Sequence, residues 1–357
     1  MWPILRKKEL ITMTERTEIA TLGEFGLIRH LTDKIELHNV STLKGVGDDA
    51  AVLDYSDKFK VVLVTTDLLL EGIHFDLTYC PLKHLGYKSA IVNISDIYAM
   101  NGQPKQITVS LGVSKRFSVE DMDEFYDGVK LACENYGVDL VGGDTSSSLT
   151  GLAISITCIG EGEKGKVVYR SGAKDTDIIC VSGDLGAAYM GLQLLEREKQ
   201  VYHGEKDFQP DFSGHEYLLE RQLKPEARKD IIERLAQANV LPTAMMDISD
   251  GLSSELLHIS HESHCGCRIY ENRLPIDYQT AIMAEQFNMD LHTAALNGGE
   301  DYELLFTVAL PDYEKVENME DVHVIGRITR SELGNFMEGR DGGEVELIAQ
   351  GWNPLKE

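Results

Sequence analysis

The sequence lacks the features that would bind it to a membrane or to a nucleic acid. Its 357 residues contain no apolar run of the roughly eighteen residues that a membrane-spanning helix needs. Acidic residues outnumber basic ones by 59 to 34, which gives a formal net charge of −25. That charge repels phosphate backbones, and no basic stripe with interleaved aromatic residues offsets it. We therefore expect neither a membrane nor a nucleic acid as a partner.

Cysteine is sparse and scattered, which argues against a disulfide framework. Most of the six cysteines lie in apolar stretches, as buried free thiols do. Cys265 and Cys267 form a single close pair, which we interpret as a turn entering a strand rather than a metal site. The opening residues 1–13 lack the continuous apolar core and cleavage site of a secretory leader. We expect a cytoplasmic protein.

The usual signatures of nucleotide-binding enzymes are also missing. There is no GxxxxGK[ST] loop, and neither the HRD nor the DFG motif of protein kinases occurs. The net charge of −25 also opposes binding of a bare nucleotide. Any phosphate site must therefore use another design, and an anionic substrate must arrive with cations.

Acidic turns are what the chain has instead. Seven aspartates occur in five short motifs rich in glycine, serine or threonine: GDDA (Asp48, Asp49), TTD (Asp67), NISD (Asp96), GGDT (Asp144) and DISDG (Asp247, Asp250). Carboxylates on tight turns are suitable ligands for Mg²⁺, which prefers oxygen in octahedral geometry. Each motif alone also fits an ordinary turn, hairpin or helix cap. Their joint occurrence predicts several Mg²⁺ ions and a phosphoryl-transfer enzyme.

Hydrophobic periodicity predicts strands that alternate with helices in the first half of the chain. The predicted helices are 24–31, 82–100 and a third that begins at Ser118 and ends near 136; the predicted strands are 50–55, 60–67, 106–113, 138–144 and 152–160. Asp67 would end its strand, and Asp96 would point away from the core side of its helix. This pattern predicts an α+β fold.

The glycine-rich stretch GEGEKGK at 160–166 predicts a domain boundary. We expect an extension over 1–20, an N-terminal domain over 21–165 and a C-terminal α/β domain over 166–357. In the last of these we predict a helix from near Leu185, helices near 226–238 and 251–264, an exposed loop at 200–215, and strands near 302–310 and 322–329.

Taken in order, the motifs resemble those of the thiamine-monophosphate kinase family, within the aminoimidazole ribonucleotide synthetase-like ATP-binding superfamily. They are GEFGLIRHL, GVGDDAAVL, TTDLLLEGIHF, NISDIYAMNGQP, VGGDTSSS, YRSGAKDTD, DISDGL and GGEDYELLF. The resemblance implies magnesium-dependent transfer of the γ-phosphoryl group of ATP to thiamine monophosphate. It also implies two α/β domains, in which the N-terminal mixed sheet pairs into a barrel across a homodimer and helices cover the C-terminal sheet.

The resemblance also implies roles for individual residues. Mg²⁺ would be held by Asp49, Thr65, Thr66, Asp67, Asp96, Asp144, Asp247 and Asp250, of which Asp49, Asp144 and Asp250 count as catalytic. ATP would contact Tyr126, Gly143, Asp144, Arg170 and Ser249, and the thiamine substrate would contact His74, Glu300 and Trp352. The negative charge of Glu300 would attract the cationic thiazolium. An acceptor phosphate is largely ionised near neutral pH, so the transfer needs no general base.

The chain departs from the family pattern in two places. Asp175-Thr176-Asp177 stands where members often have Pro-Gly-Asp, which alters a turn. Trp352 is followed by Asn-Pro-Leu rather than by a histidine and an aromatic residue, which puts its stacking on the substrate in question.

Two other functions fit the same residues. An enzyme of the same superfamily would have a different acceptor, for example a ribonucleotide amide. A non-catalytic acidic module would bind Mg²⁺ and ATP without consuming the nucleotide.

Overall fold

Two mixed sheets, one from each half of the chain, form the framework of the protein. The computed structural model describes residues 42–44, 47–201 and 212–350. The helix predicted at 24–31, most of the loop predicted at 200–215, and Trp352 lie outside these ranges. No helix within the described ranges is long and apolar enough to cross a bilayer.

The first sheet has the strand order β1-β2-β3-β6-β4-β5 and is antiparallel except for the β4–β5 pair. Its strands are β1 (Thr42–Lys44), β2 (Ala51–Leu53), β3 (Lys60–Leu70), β4 (Gln103–Val113), β5 (Asp139–Ser147) and β6 (Leu152–Glu163). Side chains alternate along β3, so that Val61, Leu63 and Thr65 are buried on one face. That face packs against the helices of the same half.

Helices α1 (Leu82–Ala99) and α2 (Val119–Tyr136) cover this sheet. The first turn of α2 is fixed by a capping box, in which Ser118 and Asp121 each accept a hydrogen bond from the other's backbone N–H. The two helices touch closely through glycines. A Cβ on Gly86 would lie 2.0 Å from the carbonyl oxygen of Phe125, so only glycine allows this approach.

Helix α1 is buried on nearly all sides, including its polar one. Ser89 and Asn93 are fully buried, and Ser95 is buried as well. We expected this side, which carries Asp96, to point away from the core. Instead it faces β3 of the first sheet and a strand of the second, so the polar residues of α1 lie between the two sheets.

The second sheet has the strand order β13-β12-β9-β11-β7-β10-β8 and is antiparallel except for the β9–β12 pair. Its strands are β7 (Ile178–Ser182), β8 (Ala244–Asp247), β9 (Cys265–Tyr270), β10 (Leu304–Val308), β11 (Val322–Arg330), β12 (Asn335–Glu338) and β13 (Glu344–Glu346). The helices of this half are α3 (Ala187–Val201), α4 (Glu216–Leu223), α5 (Lys229–Gln237), α6 (Leu252–Ser263), α7 (Tyr278–Gln286), α8 (Leu291–Asn297) and α9 (Tyr313–Glu317).

The α+β class is confirmed, since both sheets are mixed and carry helices. Within the described residues neither sheet closes into a barrel. One local expectation is corrected, and one alternative is excluded. Asp67 does not end its strand, because β3 continues to Leu70 in register with β6. The GGDT motif is not a hairpin, because Gly142 to Thr145 pair with β4 inside β5.

The Asp-Thr-Asp turn contains a strained residue. Thr176 has φ +77°, a conformation that a β-branched side chain rarely adopts. The turn is held in place because Asp177 accepts hydrogen bonds from the backbone of Lys174 (2.9 Å) and from the hydroxyl of Thr243 (2.7 Å).

We expect Thr176→Gly to stabilise the protein by about 1 kcal/mol, or about 2–4 °C in Tm, because glycine adopts positive φ without strain. Thermal unfolding monitored by circular dichroism measures the change. The same replacement at exposed Thr150, whose φ is not positive, should not stabilise and serves as the matched control. A lower Tm for Thr176→Gly would show that the turn is not strained.

Candidate active site

A cluster of carboxylates lies between the two sheets. One oxygen each from Asp49, Asp96 and Asp247 falls within 4.8 Å of the others. The three residues come from the loop before β2, from α1 and from the end of β8, so residues 198 positions apart in the chain meet here. Only tertiary folding brings them together, as the acidic motifs predicted.

Hydrogen bonds around α1 hold these carboxylates in place. The hydroxyl of Thr65 donates to Oδ2 of Asp96 (2.6 Å), and the hydroxyl of Ser95 donates to Oδ2 of Asp247 (2.6 Å). The backbone N–H of Asp67 donates to Oδ1 of Asn93 (3.1 Å). The polar side of α1 therefore orients acidic residues from both sheets.

Asp67 lies beside this cluster on the buried face of β3. Its Oδ2 is buried and has no hydrogen-bond partner. A buried carboxylate oxygen left in this way carries a desolvation cost, and a bound cation is one group that could remove it. Asp67 is thus a fourth carboxylate beside the cluster.

Burial, and after it the mutual repulsion of the carboxylates, raises their pKa values. Burial and the charge of Asp49 raise the pKa of Asp67 to about 6. The same causes raise the pKa of Asp247 to about 7. Burial and the charges of Asp67 and Asp247 raise the pKa of Asp96 well above its ordinary value. An all-oxygen site whose charges repel in this way fits a hard divalent cation such as Mg²⁺.

Arg170 provides the cluster with a protein cation. Its guanidinium forms a fork on Asp49, with Nε 3.2 Å from Oδ2 and Nη2 2.8 Å from Oδ1. Its backbone N–H donates to Oδ1 of Asp48 (2.7 Å), whose Oδ2 is 2.9 Å from the ammonium of Lys44. The side chain of Arg170 is therefore part of the site. The carboxylate of Asp48 is instead paired with the backbone N–H of Arg170 and the ammonium of Lys44.

The DISDG loop is held by a residue that the sequence analysis missed. The buried carboxylate of Glu255, on α6, accepts hydrogen bonds from the N–H groups of Ser249 (3.2 Å) and Asp250 (2.8 Å). Neither Ser249 nor Asp250 caps α6, whose N-cap is Gly251. An acidic residue in the first turn of a helix after an acidic loop was the available signal.

Glu300 and His74 lie on segments next to this site. The N–H of Glu300 donates to the carbonyl oxygen of Ser249 (2.7 Å), so the GGEDY segment lies beside the DISDG loop. Nδ1 of His74 accepts from the N–H of Leu70 (3.0 Å), and burial lowers the pKa of His74. The neutral ring therefore carries its proton on Nε2.

Other expected site residues do not join the cluster within one chain. Thr66 points to the opposite face of β3, where its hydroxyl donates to the carbonyl oxygen of Ile156. Asp144 lies on the exposed edge strand β5, three strand spacings or about 14 Å from β3. Gly143 allows close pairing with β4, since a Cβ there would lie 1.8 Å from the oxygen of Val109. Tyr126 is half-buried and packs edge-on against Phe125.

Comparisons with known proteins agree with the fold. The model of the AIR synthase related protein N-terminal domain matches residues 47–161, and the C-terminal domain model matches residues 174–337. The chain thus belongs to the AIR synthase related proteins.

Within that class, the similarity extends to one kind of enzyme. The thiamine-monophosphate kinase of Aquifex aeolicus (strain VF5) is 37% identical over 93% of this chain and 97% of the relative. That of Bacillus subtilis (strain 168) is 36% identical over 94% and 100%. A solved structure described as "AaThiL complexed with AMPPCP and TMP" matches with a TM-score of 0.80 and 36% identity, covering 96% of this chain and 99% of that one. The chain belongs to the thiamine-monophosphate kinase family.

We expect Asp67→Asn to stabilise the metal-free protein at high pH. The pKa of Asp67 in the folded state, about 6, exceeds its unfolded value of about 3.9. The stability contribution of Asp67 is therefore complete below about pH 4 and is lost as the pH rises through about 6. Removal of this buried charge, and of its repulsion by Asp49, should raise the Tm of the variant above wild type by about 2–4 °C at pH 8 in a chelator.

Thermal unfolding at pH 4.5, 6 and 8, with a chelator or with Mg²⁺, measures this difference. If Asp67 is a Mg²⁺ ligand, as the family resemblance implies, wild type should become more stable than the variant when Mg²⁺ is added. Asp123→Asn, at an exposed position of α2, is the control and should change neither curve. A variant less stable than wild type at pH 8 in the chelator would contradict the prediction that the buried charge of Asp67 destabilises the metal-free protein.

Proposed function

We propose that this protein transfers the γ-phosphoryl group of ATP to the phosphate of thiamine monophosphate, giving thiamine diphosphate by direct in-line transfer. The observation that carries the proposal is the buried all-oxygen cluster of Asp49, Asp96 and Asp247. Two relatives named for this activity support it, since each aligns with more than nine tenths of the chain. The related structure that holds AMPPCP, an ATP analogue, together with TMP supports both substrates.

The residues present fit Mg²⁺. Four carboxylates, counting Asp67, meet in one place, and the hydroxyl of Thr65 is beside them. Since one octahedral Mg²⁺ usually takes only one or two carboxylates and keeps several waters, we assign more than one ion to this site. Asp250, on the loop held by Glu255, would add a ligand. When bound, the ions would neutralise phosphate charge and so offset the repulsion between two anionic reactants.

The protein's own task is then to position the reactants. Arg170 holds both oxygens of Asp49 and so fixes one wall of the ATP site. Ser249 lies on the DISDG loop, which Glu255 anchors, and we assign it with Arg170, Tyr126 and Gly143 to ATP. The acceptor phosphate is already ionised near neutral pH, so no side chain has to remove a proton. Alignment of attacking and leaving oxygens supplies much of the rate.

We assign the thiamine substrate to the side of the site that carries His74 and Glu300, with Trp352 as a further contact. The hydrogen bond from Glu300 to the carbonyl oxygen of Ser249 supports this placement, because it joins the acceptor side to the ATP side. The free thiols of all six cysteines support a cytoplasmic location.

We expect Asp49→Asn and Asp250→Asn each to lower kcat at least about 100-fold, as loss of a group that stabilises the transition state does. The assay follows thiamine diphosphate formed from ATP and thiamine monophosphate with Mg²⁺. Circular dichroism should show that both variants are folded, and Asp123→Asn should match wild type. Full activity in both variants would contradict the assignment of Asp49 and Asp250 as ligands of catalytic Mg²⁺.

The same assay separates the other functions. Turnover of ATP with a ribonucleotide amide, and none with thiamine monophosphate, would change the acceptor. Binding of Mg²⁺ and ATP without turnover of either acceptor would indicate a binding module.

We further propose a homodimer in which the edge strand β5 of one chain pairs with a second copy and closes a barrel. All nine residues of β5 are exposed, including the apolar Leu140 and Val141. An exposed edge strand with apolar side chains is a template for pairing. Asp144 lies on this strand, so pairing would enclose a proposed metal ligand that one chain leaves exposed.

We expect Val141→Lys to convert the dimer into a monomer and to lower activity, because an edge lysine opposes strand pairing. Sedimentation or light scattering gives the mass. Leu149→Lys, at an exposed turn position beyond β5, should remain dimeric. A wild-type protein that is monomeric at working concentration would overturn the dimer without affecting the proposed reaction.

A further inference from the structure

Helix α1 carries a buried lysine that is not among the proposed contacts to Mg²⁺, ATP or the thiamine substrate. Lys88 is only 5% exposed, and lysine is almost never buried unless it is paired. Its ammonium lies 2.9 Å from Oε1 of Glu300 and donates to the carbonyl oxygen of Gln222 (3.0 Å). The lysine therefore joins α1 to α4 and to the GGEDY segment.

Gln222, also only 5% exposed, completes the arrangement. Its Nε2 donates to Oε2 of Glu300 (2.8 Å). Both carboxylate oxygens of Glu300 are thus held by buried side chains, one from each of two helices. A carboxylate has about four lone-pair sites, so each oxygen can still accept from a ligand.

The backbone at Glu300 is also tightly constrained. Glu300 (φ +59°) and Tyr302 (φ +51°) are left-handed without being glycine. Their N–H groups donate to the carbonyl oxygens of Ser249 and Ile248. Such conformations persist only where surrounding contacts hold them, and they concentrate at functional sites. The side chain of Glu300 is 30% exposed, so it remains open to a ligand.

We propose that Lys88 is a positioning residue for the acceptor site, an inference that rests on the proposed function. Lys88 fixes the carboxylate of Glu300 and neutralises its charge. Glu300 then meets the acceptor as an oriented hydrogen-bond acceptor for an N–H group, not as a free anion attracting the thiazolium. This differs from the role that the sequence suggested, because the buried counterion of Glu300 could not be seen there.

The test is the direction in which KM for thiamine monophosphate changes in Lys88→Met. Loss of positioning should raise this KM about tenfold, with kcat and the KM for ATP within about threefold of wild type, the pattern expected when only binding is lost. If Glu300 instead attracted the thiazolium by charge, removal of Lys88 would lower KM. A lowered or unchanged KM overturns the proposal.

Four further variants, including Glu300→Gln alone, make the outcome specific. Lys83→Met makes the same change at an exposed position of α1 and should match wild type. Gln222→Met removes the donor to Glu300 but leaves both charges, and should also raise KM for thiamine monophosphate. Lys88→Met combined with Glu300→Gln should be no worse than the worse single variant, because both remove one interaction. Additive losses would overturn the proposal in favour of a purely structural lysine.

The proposed reaction and the role of Lys88 can fail separately. Absence of turnover by wild type would overturn the reaction and the acceptor site with it. The same double-mutant cycle measured by thermal unfolding tests the ion pair in either case, and an absence of coupling there would overturn the pairing of Lys88 with Glu300.

Discussion

Mutual repulsion among buried carboxylates is the constraint on which this structure depends. Oxygens of Asp49, Asp96 and Asp247 lie within 4.8 Å of one another, with Asp67 alongside. In a partly buried site such charges interact more strongly than in water. The chain opposes the repulsion with neutral donors from Thr65 and Ser95 and with the guanidinium of Arg170. The charge that remains agrees with the proposed binding of cations, which would help to bring two anionic reactants together.

Helix α1 connects the two sheets at this site. Because it is buried between the sheets, its polar side can bind residues of both. It carries Asp96 toward the proposed metals and Lys88 toward the proposed acceptor site, eight residues apart, which is about 12 Å along a helix. One packed element therefore spans both ends of the site. It packs closely on α2 at Gly86, where a Cβ would lie 2.0 Å from the carbonyl oxygen of Phe125.

Local signals in the sequence predicted local structure well. The helix predicted at 82–100 is found at Leu82–Ala99, and the helix predicted to begin at Ser118 has a capping box there. The features that the sequence did not predict depend on contacts with residues distant in the chain. β3 runs past Asp67 because β6 pairs with it, and β5 runs past the predicted end at 144 to Ser147 because β4 pairs with it. Lys88 was missed because burial, not spacing, gives it its role, whereas Glu255 had a signal in its place in the first turn of α6.

Arg170 and a metal need not compete for Asp49. Each oxygen of a carboxylate offers about two lone-pair sites, and the guanidinium fork occupies one on each. The remaining lone-pair sites of Asp49 are therefore available to a cation bound among the carboxylates. A planar fork also fixes the plane of the carboxylate, which a lysine could not do. The arginine lowers the charge of the site while it sets the direction from which Asp49 can bind a cation, so charge balance and ligand geometry come from one contact.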